Sequence, residues 1–567
     1  MKTIRKSAIL FLGLAALGLS SCSNAAFDKY PSDTMQMENY GKDDSEVLNI
    51  LLDSYYYLRV VSERVILVNG LATDEAYDFK RNNSQDHIKL NESTWDATLG
   101  MTSEIWAYCF NMINRCNTVL ERLDNVSEAN RTQYEGEAMF FRAYAYFTLV
   151  RLYGAVPVST SVISDYTTLY SYGRTPVDDV YTRIEQDLAQ AIADLPETYD
   201  YSANPSMRGR ATKIAAWTML ADVQMTRGNF SDAKTTLEKV IDYADANPSV
   251  LGLESDVADI YDSSNPIGKE IILAAQFNNG STIVENDLMT RCVPLGEPTK
   301  EQPAYVYPDG TPSSITVAEV GNSTFVMTWA LWNKLRESAE GGTDDRLTKL
   351  TYAGIYDAQS VSNASDEVNV VTVENKDPDS GAVLSTTTHA CMPTSLKYFD
   401  FACESTGISR SSNDNIIYRY GGVLLMYAEC LNETNQSGDL GNAMAYVNLI
   451  RERANAEPVT ASSQEDIRLA IENENLLELN FEGHRWFNLV RTDRITPVMV
   501  EHFAHRTPGL SAIHQADENG MTVTDASATT ASAQVHWKWE NSSADVLFAI
   551  PYDQIQLTNW EQNEIYQ

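Results

Sequence analysis

The stretch "AWTMLADVQMTRGNFSDAKTTLEKVI", residues 216–241, decides the fold. Trp217-x2-Leu220-Ala221 precedes Gly228, and Ala233-x3-Leu237 follows it. Two apolar-faced helices meet at a glycine turn, and a small residue early in the second lets it approach the first. This is the tetratricopeptide spacing, with Ala221 where glycine is usual. The pattern recurs in "GDLGNAMAYVNLI", residues 438–450, where Ala443-x3-Val447-x2-Ile450 repeats Ala233-x3-Leu237-x2-Val240. Glycine and alanine are five residues apart in both copies. One copy is within reach of chance; two, each after an apolar helix, predict a repeat architecture.

Outward from these copies the chain reads as more helix. Residues 44–68 form an aromatic-rich helix, and 103–125 carry Ile105, Trp106, Cys109, Phe110, Ile113, Leu120 and Leu123 at helical spacing. Residues 135–153, "EGEAMFFRAYAYFTLVRLY", are apolar nearly all round, as in a helix in a protein interior. That helix stops at Gly154 with Pro157 just beyond, and Pro176 opens another that ends near Leu195-Pro196. Four helix pairs result, over 44–125, 135–195, 210–246 and 414–491. Residues 250–410 have another texture, with turn dipeptides at Asn265-Pro266, Asp309-Gly310 and Asp377-Pro378 and one short strand candidate, "EIILAAQF". The Ser/Thr/Asn/Asp-rich stretch 355–390 and residues 505–535 read as polar loops. The end, "DVLFAIPYDQIQLTNWEQNEIYQ", reads as a short strand followed by Pro551. The fold class is therefore mainly α: tetratricopeptide-like helix pairs forming a superhelix, packed against a loop-rich, irregular second part with a few short strands. The expected organisation is a leader at 1–21, a helical region at 22–250, and a second region at 251–567 that contains the insertion 251–410 and the last helix pair 414–491.

The N-terminus carries Lys2, Arg5 and Lys6 before an apolar run, Ala8 to Leu19, too short to span a bilayer. It has the form of a secretory signal, and Leu19-Ser20-Ser21-Cys22 resembles the bacterial lipobox. Cys22 is thus the expected lipidation site; two or more acyl chains anchor a protein stably where one does not. Removing residues 1–21 takes three cations and no acid, so the formal charge moves from −36 to −39. That balance disfavours nucleic acid, whose phosphates need Lys and Arg. No other stretch is long and apolar enough to cross a membrane. Of seven cysteines, Cys109 and Cys116 share a helix face about 10 Å apart, too far to bridge, and buried free thiols are expected for most.

Near the end, "NFEGHRWFNLVR", residues 480–491, brings Glu482, His484, Arg485 and Trp486 together. Acid/base machinery is one reading. The apolar setting of Leu476, Leu477, Phe481, Trp486 and Phe487 favours the other, a buried Glu482–Arg485 pair three residues apart on a helix with a hydrogen-bonded His484. On that reading Arg485→Ala lowers stability. The chain has no HExxH, GxSxG, P-loop or GxGxxG. His502 and His505 alone make a weak metal case, so no metal site and no cofactor are assigned.

In chain order, the lipobox, "FDKYPSDT", "FFRAYAYFTLVRLYGAVPV", "GRATKIAAWTMLADVQMTRGNFSDA", "NFEGHRWFNLVR" and "LFAIPYDQIQLTNWEQNEIY" resemble the SusD/RagB family of Bacteroidota surface lipoproteins. The resemblance implies a tetratricopeptide superhelix against a loop-rich part. It also implies a non-enzymatic protein on the outer membrane that captures oligosaccharides or other nutrients over a SusC-like TonB-dependent transporter. Sugar capture needs exposed aromatic faces beside hydrogen-bonding groups, and loops are where to seek them. Residues 72–97 supply Tyr77, Phe79, Arg81, Asn82 and Trp95, in the order of a ligand-facing loop of the family. Asn278 with Tyr305 and Tyr307 is a second candidate set. Trp329, three residues before Trp332, is a third, at a spacing more common in cores. Two other functions stay open on the sequence: a tetratricopeptide scaffold for peptides or proteins, and a surface glycan hydrolase.

Overall fold

A computed structural model of the chain describes residues 40–78, 84–163, 171–201, 203–278, 286–292, 322, 324–357, 369–376, 383–400, 411–504, 515–516, 522–524 and 546–567. The Cys22 assignment lies outside them. The helices are α1 (Asp44–Leu71), α2 (Gln85–Asn91), α3 (Gly100–Glu121), α4 (Glu128–Tyr153), α5 (Val177–Asp194), α6 (Lys213–Thr226), α7 (Phe230–Ala246), α8 (Leu288–Cys292), α9 (Trp329–Ser338), α10 (Asp345–Leu350), α11 (Tyr420–Thr434), α12 (Asp439–Arg453), α13 (Gln464–Leu479), α14 (Arg485–Arg491), α15 (Ile495–Ala504) and α16 (Tyr552–Leu557). The strands are β1 (Ala76–Tyr77), β2 (Ile271–Ala275), β3 (Val326–Met327), β4 (Thr351–Asp357), β5 (Asn369–Lys376), β6 (Val383–Ser395), β7 (Asn415–Arg419), β8 (Gln515–Ala516) and β9 (Thr522–Thr524).

Helices stack in a continuous series. α1 lies on α3, α3 on α4, α4 on α5, α5 on α6, α6 on α7, and α7 on α11, which carries α12 and α13. The two tetratricopeptide copies are thus α6–α7 and α11–α12, face to face in the stack. Gly228 and Gly438 turn each pair with φ of +76° and +91°. A Cβ would meet nothing within 4 Å at either glycine, so the left-handed backbone itself calls for glycine there. Ala233, Leu237 and Val240 are fully buried, and so are their repeats Ala443, Val447 and Ile450. α4 runs through the interior as its all-round apolarity requires: Phe140, Phe141, Tyr146, Phe147 and Tyr153 are wholly buried. It begins at Glu128, a full two turns before the expected start. Its Arg142 grips Asp187 of α5 at 2.8 Å, and its Glu137 holds Arg210 at 2.7 Å. Cys109, Cys116, Cys292 and Cys430 are buried free thiols. No helix among the described residues is long and apolar enough to cross a membrane.

The sequence reading needs two corrections here. Residues 355–390, expected as polar loop, hold much of an antiparallel sheet in the order β4-β6-β5-β9-β8. β4 and β6 pair from Thr351↔Ser395 to Asp357↔His389. Runs such as "STTTHA" in β6 are threonine-rich, and threonine, being β-branched, favours strands. β8 and β9 add two short strands from the other expected loop, 505–535. Conversely, residues 546–550 join no sheet; Phe548 N–H bonds the Leu152 carbonyl at 2.8 Å, and α16 follows Pro551.

β2 forms where "EIILAAQF" placed it and pairs antiparallel with β7. This two-stranded ladder sets Glu270 beside Arg419, and the Tyr420 N–H bonds the Glu270 carbonyl at 2.8 Å. From there a buried ionic lattice spreads. Arg419 reaches Glu270 and Glu478 at 2.7 Å and Glu482 at 2.8 Å. Arg453 joins Glu270 at 2.8 Å and also Glu478. Arg346 holds Asp344 at 2.8 Å and Glu474 at 2.5 Å, while Arg451 takes the other oxygen of Glu474 at 2.9 Å. Lys397 closes on Glu482 at 2.7 Å. Burial raises the Glu482 carboxyl pKa, but the charges of Arg419 and Lys397 outweigh it and hold it at about 2, against an ordinary 4.5.

Removing one member leaves its partners charged and dry, so Arg419→Met should cost about 3–5 kcal/mol, read as a lowered denaturant midpoint at pH 7. The depressed Glu482 pKa sets a direction with pH as well. Its contribution is complete above the unfolded value of 4.5 and is lost as pH falls toward 2. A melting temperature that stays level from pH 5 down to pH 2.5 would contradict the lattice.

Candidate functional site

The expected Glu482–Arg485 pair does not form. α13 ends at Leu479 and α14 begins at Arg485, and between them Phe481 and Gly483 take left-handed φ of +62° and +80°. The chain there is a turn, so two residues three apart look in different directions. Glu482 faces the ionic lattice and also accepts the Tyr261 hydroxyl at 2.7 Å. Arg485 grips Asp74 through two hydrogen bonds of 2.8 Å. The His484 ring lies tilted against Tyr418, centroids 6.4 Å apart, with no hydrogen bond of its own among the described residues. Burial lowers its pKa, which keeps it neutral. An ionised Glu482 with both oxygens bound to cations has no proton to give. The motif is a buried structural knot, with partners other than the expected ones.

The knot ties the 480–485 turn to the residues just before β1. Asp74 holds Arg485, and Glu75 accepts the Phe481 N–H. β1 then pairs antiparallel with β3, Ala76↔Met327 and Tyr77↔Val326, so the first and third candidate ligand segments meet. Their described aromatics nevertheless face inward, where the expectation had them exposed. Tyr77 is 1 %, Trp95 7 % and Trp329 8 % exposed. Trp95 stands edge-on to Trp486 at 5.6 Å, lies against Phe548, and donates its indole N–H to the Tyr566 hydroxyl at 2.9 Å. Trp329 meets Trp332 edge-on at 6.3 Å. Asn278, after β2, is exposed. Phe79, Arg81, Asn82, Tyr305 and Tyr307 lie outside the described residues.

The stems of the segments that carry them are nonetheless gathered. Tyr77 pairs with Val326, Phe325 N–H bonds the Arg291 carbonyl at 3.0 Å, Asn322 N–H bonds the Thr290 carbonyl at 2.9 Å, and Asn286 bridges Ser411. Backbone hydrogen bonds therefore tie the start of segment 79–83 to both ends of 293–321, and the end of 279–285 to the end of 401–410, with α8 running between the two groups. A cleft of about 260 Å³ lies elsewhere, along α3, lined among others by Trp106, Phe110, Asn111 and Gln554. Phe110 and Asn111 are half-buried. An aromatic beside an amide is the chemistry sought in the loops. It escaped the sequence reading because Trp106 and Phe110 sit at core-type helical spacing.

Two family profiles match the chain: "SusD family" over residues 323–566 and "Starch-binding associating with outer membrane" over 28–225. The chain belongs to the SusD/RagB family. SusD-like protein P2 of Formosa agariphila is 26% identical over 507 residues, covering 86% of this chain and 91% of that protein. Among solved structures, the surface glycan-binding protein A from Bacteroides uniformis shares the fold at a TM-score of 0.66 with 21% identity, over 92% of this chain and 100% of its own. A laminarin-binding SusD-like protein does so at 0.64 with 20% identity, over 92% and 99%. The SusD-type fold, tetratricopeptide pairs included, thus extends over nearly the whole chain. Because Trp95 clamps the C-terminus of that fold, Trp95→Ala should cost about 3–5 kcal/mol of stability. An unaltered thermal unfolding curve would mean that the Trp95–Trp486–Phe548 cluster holds nothing together.

Proposed function

We propose that this SusD-family chain is a lipoprotein acylated at Cys22 and held on the outer membrane. There it captures oligosaccharide or polysaccharide nutrients without cleaving them and passes them to a SusC-like TonB-dependent transporter. The observation that carries the reading is the near end-to-end match of this fold to proteins named for glycan binding. The tied stems support it: the described residues that flank several candidate segments are held by backbone hydrogen bonds to a helical body, and loops on such a body carry recognition. The ligand is placed on those segments, with Phe79, Arg81, Asn82, Asn278, Tyr305 and Tyr307 as its contacts. Stacking on aromatics and hydrogen bonds to amides and guanidinium suit a neutral glycan, and a mature charge of −39 repels polyanions. Non-enzymatic action is supported by the state of Glu482, the acid of the 480–491 motif, whose carboxylate is committed to Arg419, Lys397 and Tyr261 within the fold.

The test is calorimetric. Purified chain should bind at least one member of a panel of neutral glycans, laminarin included, and Tyr305→Ala/Tyr307→Ala should weaken that binding by about tenfold or more, or 1.4 kcal/mol, with the melting temperature kept. Equal affinity in the double variant removes these two tyrosines from the site. Release of shortened glycan by the pure protein sinks the non-enzymatic reading.

A further inference from the structure

A cavity of about 290 Å³ opens between α11, α13 and α14. Its mouth is crossed by ion pairs, Arg468 to Glu433 at 2.6 Å and Arg494 to Glu472 at 2.5 Å. Deeper, Arg491 binds Glu429 at 2.7 Å. Leu476, Leu479 and Leu489 form apolar wall, and Glu75 lines the inner end.

Glu75 is the exception in this part of the molecule. It is 1 % exposed. One carboxylate oxygen accepts the Phe481 N–H, and the other has no hydrogen-bond partner among the described residues. The charges around it are matched to one another: Arg485 to Asp74, and Lys397 to Glu482. A buried carboxyl with an empty oxygen either holds a proton or waits for a cation. Burial raises the Glu75 pKa to about 7, against the opposing Phe481 N–H bond and Lys397 charge.

The cavity's chemistry selects a class of ligand. All four guanidiniums that line it, those of Arg468, Arg485, Arg491 and Arg494, are already paired with carboxylates, so an anion finds no free cation. Among the described residues no three His, Cys, Asp or Glu side chains come together to hold a metal ion. The other polar lining includes the Glu75 carboxyl, the amide oxygen of Asn475 (its nitrogen donates to the Ile471 carbonyl at 3.0 Å) and the neutral ring of His484. The Glu75 carboxylate, the Asn475 oxygen and one ring nitrogen of His484 can accept hydrogen bonds beside the leucines. We infer that this cavity binds a small organic ammonium compound, its amine on the Glu75 carboxylate and its apolar body between Leu476, Leu479 and Leu489. Binding converts a protonated Glu75 to its carboxylate; the ammonium keeps its protons, and one proton leaves to solvent. The site does not depend on the glycan reading.

Titration calorimetry on the full chain with cyclohexylammonium, and with cyclohexanol as its neutral counterpart, tests this directly. The ammonium should bind at least about tenfold more tightly. Runs in two buffers of different ionisation heat should show net proton release on binding near pH 7, and less of it as pH rises. Glu75→Gln should erase the preference and the proton release. Leu469→Trp, at the exposed mouth, should block entry whether or not Glu75→Gln folds. Equal binding of the two probes overturns the inference, as does no binding of either, which would leave the cavity to water. Undiminished binding in Leu469→Trp, with the site elsewhere, overturns it too.

Discussion

Ten charged side chains buried against one another set the terms for the C-terminal half of this protein. Arg346, Lys397, Arg419, Arg451 and Arg453 face Asp344, Glu270, Glu474, Glu478 and Glu482. Each charge is dry, and dehydration is repaid only when its partners and hydrogen bonds are in place. The members come from β2's leading edge, α10, the end of β6, β7, α12 and α13. None of these elements can settle alone without stranding a charge, so they close together or not at all. Even the inserted sheet is governed by this constraint. β4 leaves five residues after Arg346 and β6 returns two residues before Lys397, so both ends are pinned to the lattice.

A second consequence concerns the stems of the candidate segments. The 480–485 turn, held on one side by Glu482 in the lattice, holds β1 on the other through Arg485–Asp74. β1 holds β3, and β3 stands next to α8. The rigidity of the interior is thus handed outward, hydrogen bond by hydrogen bond, to the stems of the segments proposed to meet the glycan. Tyr77, Trp95 and Trp329 belong to that interior: Tyr77 sits in the β1–β3 pair, Trp329 meets Trp332, and Trp95 packs on Trp486 and Phe548.

The helical shell was legible because its signals are local. Glycine five residues before alanine, with leucine or valine one turn on, specifies a tight helical hairpin through backbone sterics that no distant residue need supply. The inserted sheet was not legible. Its strands lie among many threonines, serines and asparagines, the alternation in β5 (Val371-Thr372-Val373-Glu374) is short, and strand pairing between residues tens of positions apart has no local signature. The aromatics of 72–97 misled for a related reason: a tyrosine or tryptophan beside Asn and Asp reads the same whether its ring faces water or a neighbouring ring.

The sequence by itself therefore determined the helix pairs and the turns at Gly228 and Gly438, because each depends on contacts within a few turns of chain; at 480–491 it showed only that charges meet apolar neighbours. Only the tertiary structure decided which carboxylate each arginine takes. A three-residue spacing proposes a partner only while the backbone stays helical, and at Phe481 and Gly483 it does not. Arg485 then finds Asp74 across more than four hundred residues, and Glu75, with every nearby cation spoken for, is left facing a cavity.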